Sequence, residues 1–344
     1  MRIGILGGGQ LGKMLALSGY PLGLSFHFYD PDMTCCAKEI APTTHATLSD
    51  LAALKKFANA VDIITYENEN IPVESIQFLQ SLKPLFPSLE AVQVTQDRLL
   101  EKECLQRLNI PTTPFMAMND AFDLQQAADQ LGFPFIVKTR RNGYDGKGQV
   151  VIRSLDELSL VDEAMLQCGC VAESWVNYRR EFSVISVSSR SAETKYYDVC
   201  ENVHQNGILY TTRNIPNDPA LLSVQPFINA LINDFSYVGV MTVEFFEDQD
   251  GRYLVNEIAP RVHNSGHWTI EGADTSQFQN HLRAGIDLPL GSTKSRDQVM
   301  MKNIIGVLPV LSDVLQDDKA CLHLYAKSER AGRKLGHITF FNSD

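Results

Sequence analysis

A short apolar strand that runs straight into a glycine turn and a helix constrains this chain more than any other stretch. Ile3–Leu6 is followed by Gly7-Gly8-Gly9-Gln10-Leu11-Gly12 and then by the helix-forming run Lys13–Gly19. A strand feeding a helix in this way opens a parallel layer, because parallel neighbours need a crossover connection. Leu24–Tyr29 reads as the next strand and ends in Asp30-Pro31-Asp32. After a helix at Asp50–Asn59, Val61–Tyr66 reads as a third strand and ends in Glu67-Asn68-Glu69-Asn70. The alternation predicts a Rossmann-like α/β unit over residues 1–95, closed by Pro84 and Pro87.

Gly7, Gly9 and Gly12 also satisfy the dinucleotide pattern GxGxxG, and Asp30 stands where an acidic residue would meet a ribose. The underlying physics is less selective than the pattern. Glycines let the backbone approach an anion, and a helix N-terminus offers unpaired N–H groups. A dinucleotide, another phosphorylated ligand and a bare strand–helix turn all remain open on these residues alone. A dehydrogenase would need a second set of βαβ units after residue 90, and none is legible there.

Beyond residue 95 the pattern becomes α+β. A helix at Asp97–Leu108 is stopped by Pro111 and Pro114. Strand-like runs follow at Phe135–Lys138, Gln149–Arg153, Val171–Trp175, Phe182–Val187, Tyr196–Val199, Gly239–Phe246 and Tyr253–Ile258. The first two flank a glycine-rich polar loop over residues 140–149. A second domain over 96–290, in two subdomains, and a small β-rich C-terminal domain over 291–344 are expected. A net charge of −11 argues against a sequence-independent grip on nucleic acid. Seven cysteines without a CxxC pair read as reduced thiols, and the apolar runs are too short to span a bilayer. With a strand beginning at the N-terminus rather than a signal peptide, a soluble cytoplasmic protein is expected.

Three groups of residues point to chemistry. Lys138 ends an apolar strand beside the loop that holds Arg140, Arg141 and Lys147 among Gly143, Gly146 and Gly148. Such a lysine suits nucleotide phosphates, although a strand-end lysine facing water is the plainer reading. Glu244 and Glu257 lie inside two apolar strands joined by Asp248-Gln249-Asp250-Gly251, so they can face each other across a hairpin. Buried carboxylates need a partner. Mg²⁺ with Asn256 as a neutral ligand is one possibility and neutralisation by Arg261 is the other. Arg261 and His263 follow the second strand and enter the same cleft, to stabilise phosphate charge and to move or orient a proton. His267 reads as a satisfied structural histidine.

Taken together, these segments resemble the ATP-grasp superfamily and, closely, the N5-carboxyaminoimidazole ribonucleotide synthetases. The matching stretches are Gly7–Met14, Thr65–Pro72, Gln96–Lys102, Phe135–Gln149, Val171–Val184, the Glu244 and Asn256-Glu257 pair, Ala259–Thr269 and Tyr325–Ile338. The resemblance implies a pre-ATP-grasp domain, an ATP-grasp domain and a C-terminal domain completing the substrate site. It implies ATP contacts at Arg98, Lys138, Gly143, Lys147, Gly148, Glu173, Trp175, Val176, Glu181, Asn256 and Glu257. Glu244 and Glu257 become ligands of Mg²⁺, two ions in all. Gly9, Gln10, Leu11, Glu67, Tyr144, Asp145, Lys147, Lys327 and Arg333 become contacts of aminoimidazole ribonucleotide. Arg261, His263, Lys327 and Asp145 become the catalytic set, with Asp145 accepting the amine proton.

The implied reaction is an ATP-dependent carboxylation of that ribonucleotide by bicarbonate through carboxyphosphate, in a homodimer acting on small molecules. This chain departs from the family pattern at Asn142, where Gly is usual, at Val262 and Ala331, where Pro is usual, and at Lys147, where Arg is frequent. Another ATP-grasp enzyme, such as a formate-dependent glycinamide ribonucleotide transformylase, shares the nucleotide logic. Tyr144–Gly148 and the basic Gly332-Arg333-Lys334 favour the carboxylase.

Overall fold

The computed structural model of the protein describes residues 1–143 and 148–341. Its first strand, Arg2–Leu6, is apolar because it is central. It pairs in parallel with Ser25–Tyr29 on one side and Ile63–Tyr66 on the other, and every residue after Arg2 is buried. Thr43–Thr44 completes a four-stranded parallel sheet among the described residues. The helix after the glycine turn begins at Gln10, earlier than predicted, because Gly9 acts as its N-cap. Helix Leu51–Asn59 starts where Asp50 accepts a hydrogen bond from the Ala53 N–H at 2.9 Å.

Two antiparallel sheets follow. The smaller has the spatial order Phe115–Met118, Cys170–Ser174, Phe135–Thr139, Gln149–Ile152. Helix Ala121–Leu131 covers it over a core that includes Met118, Phe135, Val137 and Ile152. The larger has nine strands among the described residues and is centred on Tyr178–Ser188, which pairs with Gly239–Asp248 and Val199–Gln205. Helix Ala220–Asp234 packs on it through Val224, Ile228 and Leu231. That helix was not legible in the sequence, since Pro226 lies within it and breaks the expected pattern.

The single strand expected at Tyr196–Val199 is two. Thr194–Tyr196 returns along Ser186–Ser188, and Val199–Gln205 begins a new strand. The chain turns between them because the buried Tyr197 is pinned by its hydroxyl to the Thr275 carbonyl at 2.9 Å. The C-terminal strands Val299–Ile305, Lys334–Phe341 and Ala320–Leu324 have a small core of Ile304, Leu335 and Ile338. They also continue the large sheet rather than forming a layer of their own. Among the described residues, no helix is long and apolar enough to cross a membrane.

Candidate active site

The hairpin predicted to carry two carboxylates does so. Strands Gly239–Asp248 and Tyr253–Ala259 pair with Glu244 directly opposite Glu257, and a bulge follows at once. Glu244 is buried, and burial followed by the facing Glu257 pushes its pKa up to about 8. His263 Nε2 lies 3.3 Å from Glu244 Oε1. The Nδ1 of His263 accepts from the Ser265 N–H at 3.3 Å, so the ring proton sits on Nε2 and faces the carboxylate. Burial, then Arg261, holds the His263 pKa well below the usual histidine range, so the ring is neutral.

Arg261 does not neutralise this pair. Its guanidinium forms a two-pronged ion pair with Glu69, whose pKa stays low despite burial because of it. Two opposed carboxylates, one buried and raised, with a neutral histidine beside them, suit a hard divalent cation with oxygen ligands. Asn256 lines the same cavity.

Facing the hairpin, the small sheet presents Lys138. Its Nζ lies 3.1 Å from Glu173 Oε1, and Lys102 Nζ lies 3.3 Å from Glu173 Oε2. Thr113 donates to the same oxygen at 2.9 Å. Burial alone would raise Glu173, but the two ammonium groups bring it down to about 2. Lys138 is therefore a cleft residue held by a buried carboxylate, not a strand-end lysine in water.

Arg98 donates to the Thr139 carbonyl at 2.9 Å and the Gly143 carbonyl at 3.2 Å, which holds the start of the glycine-rich loop. A Cβ on Gly143 would stand 2.6 Å from the Arg98 guanidinium, so only glycine allows this approach. Arg140 and Arg141, two of the cations read in the loop, are both paired with Asp97, the N-cap of helix Arg98–Arg107. Tyr144, Asp145 and Lys147 lie outside the described residues.

The cavity between the two sheets has a volume of about 630 Å³, and Arg98, Lys138, Gly143, Glu173, Trp175, Val176, Glu181, Asn256 and Glu257 all line it. So do Glu244, Arg261 and His263, together with Gln10 and Leu11 from the N-terminal domain. Gly148, at the far end of the loop, has a φ of +72°.

The glycine turn itself is closed from within. Glu67 accepts hydrogen bonds from the Gly9 and Gly12 N–H groups, and Asp30 accepts from Gly8 at 2.6 Å. The pyrophosphate position of a dinucleotide fold is thus filled by the chain's own carboxylate. Burial raises the pKa of Glu67, and the two N–H groups hold back part of that rise. Lys327 reaches into this corner and donates to the Gln10 side chain. Arg333 bonds to Ser328 at 2.7 Å and does not line the large cavity.

Residues 1–96 match the ribonucleotide synthetase preATP-grasp domain, 103–278 the ATP-grasp domain, and 299–344 the phosphoribosylaminoimidazole carboxylase C-terminal domain. The N5-carboxyaminoimidazole ribonucleotide synthase of Pseudomonas aeruginosa is 41% identical over 344 residues, covering 100% of this chain and 95% of the relative. The chain belongs to this synthase family. A Staphylococcus aureus N5-carboxyaminoimidazole synthetase crystallised with ADP superposes with a TM-score of 0.96 at 36% identity, covering 100% of this chain and 93% of that one. The Aspergillus clavatus synthase in complex with ADP and 5-aminoimidazole ribonucleotide gives 0.90 at 30% identity, covering 99% and 93%. The protein is accordingly an ATP-dependent ligase with the three-part architecture expected of the family.

Within this synthase fold, several site residues carry no signal in sequence. His204 lines the cavity and its Nδ1 is 2.5 Å from Glu181 Oε2. Burial would lower its pKa, but the Glu181 and Glu244 carboxylates raise it. Glu69 and Glu101 also line the cavity, and Lys102 stands behind it. Glu69 and the Glu101-Lys102 pair lie within the stretches Thr65–Pro72 and Gln96–Lys102, yet their spacing does not tell which way they point. His267 is buried as expected but not satisfied, since neither ring nitrogen has a hydrogen-bond partner among the described residues. Its ring packs instead against Phe278, Tyr325 and His337.

Proposed function

We propose that this cleft carboxylates 5-aminoimidazole ribonucleotide to N5-carboxyaminoimidazole ribonucleotide, with ATP as energy source and bicarbonate as carbon source, in purine biosynthesis. One observation carries the reading: Glu244 and Glu257 oppose each other across one cavity from Lys138, with Gln10 and Leu11 at its border. Relatives crystallised with ADP and with the ribonucleotide support the choice of ligands.

Lys138 would meet the transferred phosphoryl group, with Arg98 and the loop from Gly143 to Gly148 along the triphosphate. Glu244, Asn256 and Glu257 would hold Mg²⁺, which when bound supplies charge neutralisation on the phosphates. A bicarbonate oxygen attacks the γ-phosphorus and the bond to ADP breaks, leaving carboxyphosphate beside Arg261 and His263. With Glu244 engaged by the cation, the neutral His263 would turn its Nε2–H from that carboxylate to the anion as a hydrogen-bond donor. The exocyclic amine then attacks the carboxyl carbon, phosphate departs and the amine proton is lost to Asp145.

Gly9, Gln10, Leu11, Glu67, Tyr144, Lys147, Lys327 and Arg333 would hold the ribonucleotide, and excluding water protects the intermediate. The seven free thiols fit a cytoplasmic setting, and a homodimer is the assembly we assign from the family resemblance. The test follows ADP release and transfer of ¹³C from bicarbonate, with and without the ribonucleotide. Label transfer coupled to ribonucleotide-dependent ATP cleavage is expected. ATP cleavage that responds only to a different acceptor would overturn the substrate assignment.

A further inference from the structure

We infer that Lys102 is a positioning residue for this reaction: one ammonium group behind the cleft ties the wall carrying Lys138 to the wall carrying Glu257. The inference rests on reading the cleft as the site of Mg²⁺ and ATP. Lys102 lies on helix Arg98–Arg107, is 1% exposed and does not line the cavity, so it touches no ligand there. Its Nζ nevertheless reaches both sheets. Toward the small sheet it lies 3.3 Å from Glu173 Oε2 and 3.1 Å from Thr113 Oγ1, and at 2.8 Å it meets Thr112 Oγ1, whose residue bridges to Val255 of the large sheet. Toward the large sheet it donates to the Asn256 carbonyl at 3.3 Å and the Val255 carbonyl at 3.5 Å.

Each contact leads to a working group. Glu173 is the carboxylate that holds Lys138, at 3.1 Å. Val255 and Asn256 immediately precede Glu257 on its strand. The neighbouring Glu101 grips the same strand from the other side, accepting the Ile258 N–H at 2.9 Å. Two adjacent residues of one helix thus hold the backbone on both flanks of Glu257, while one of them also sets the partner of Lys138. A methionine would fill this space without the desolvation cost of a buried charge. The charge serves because one ammonium group is shared among acceptors on both walls, and the gap between Lys138 and Glu257 follows from the distance this sets.

The experiment compares Lys102→Met and Thr112→Val with the full-length wild type. Thr112→Val removes the hydroxyl that joins Lys102 to the Val255 carbonyl, at 2.8 Å to each, and leaves every cavity-lining residue in place. For Lys102→Met, kcat falls about 100-fold, as expected when reacting groups shift by about 1 Å. Its apparent KM for Mg²⁺ rises about tenfold, in the range of lost supporting contacts around a metal, while KM for the ribonucleotide is unchanged. Thr112→Val moves both parameters in the same direction by about threefold, so it decides the matter if Lys102→Met does not fold.

Variants that lose thermal stability yet keep kcat and the Mg²⁺ dependence within about twofold of wild type would reduce Lys102 to a structural role and overturn the inference. The Mn²⁺ EPR spectrum in the presence of ADP separates metal–nucleotide binding in the cleft from the role of Lys102. If wild type shows no ADP-dependent Mn²⁺ signal, the nucleotide reading of the cleft falls and takes the inference with it. A wild-type signal left unaltered by Lys102→Met overturns the inference alone.

Discussion

The glycine turn at residues 7–12 and the cleft between the two antiparallel sheets both gather carboxylates, and they treat them in opposite ways. At the turn, Glu67 and Asp30 meet the N–H groups of Gly8, Gly9 and Gly12, so the anion site of a strand–helix junction is satisfied within the chain. In the cleft, Glu244 faces Glu257, and the nearby arginine is already committed to Glu69. The first arrangement answers its carboxylates with backbone amides, and the second sets two carboxylates face to face with a neutral histidine beside them. A motif that matches a pattern tells less about binding than whether its charges have been answered locally.

Glu257→Gln should lower kcat for ATP cleavage on the order of 10²–10³-fold, the scale of losing one charge stabiliser at a transition state, with the fold kept by circular dichroism. Activity within tenfold of wild type would mean that the cleft's open charges do not serve the chemistry. Glu173→Gln, by contrast, should act on stability as well. It leaves Lys102 and Lys138 without their shared carboxylate, and breaking a buried pair costs about 3–5 kcal/mol, readable in urea denaturation.

At the turn the expected effect is smaller and different in kind. Glu67→Ala frees the Gly9 and Gly12 N–H groups and should cost about 1–3 kcal/mol. Inorganic phosphate should then raise the melting temperature of the variant more than that of wild type. Equal responses in both proteins would show that Glu67 does not close the anion site. The smallest effect concerns the tie between the two regions. His281 bonds to Thr65 Oγ1 at 2.8 Å and accepts from the Val240 N–H at 3.1 Å, joining the N-terminal sheet to the strand of Glu244.

Burial lowers the His281 pKa to about 3, below its unfolded value near 6.5. Its contribution is therefore complete above about pH 6.5 and is lost as pH falls toward 3, because the unfolded chain takes up the proton first. Stability measured across that window should decline less steeply in His281→Asn. An unchanged acid limb would assign the decline to other buried histidines.

Much of this was legible in the chain itself. The alternation from Ile3 to Tyr66 dictated a parallel layer, because apolar runs buried on both faces must lie side by side. The Asp248–Gly251 turn between two apolar strands dictated a hairpin, whereas the bulge beside Glu244, which periodicity does not predict, is what sets Glu257 opposite it. The breaks at Tyr197 and the helix through Pro226 were not legible, since both depend on what packs against them rather than on local preference. The partners of the charged residues belonged to the tertiary structure alone. Arg261 went to Glu69, Arg140 to Asp97, Lys102 to Glu173 and Glu67 to two backbone amides. Periodicity follows from local backbone geometry, so one sequence suffices to read it. Charge pairing acts between residues far apart in the chain, and only the folded distances decide which carboxylates meet a cation or an amide and which face one another.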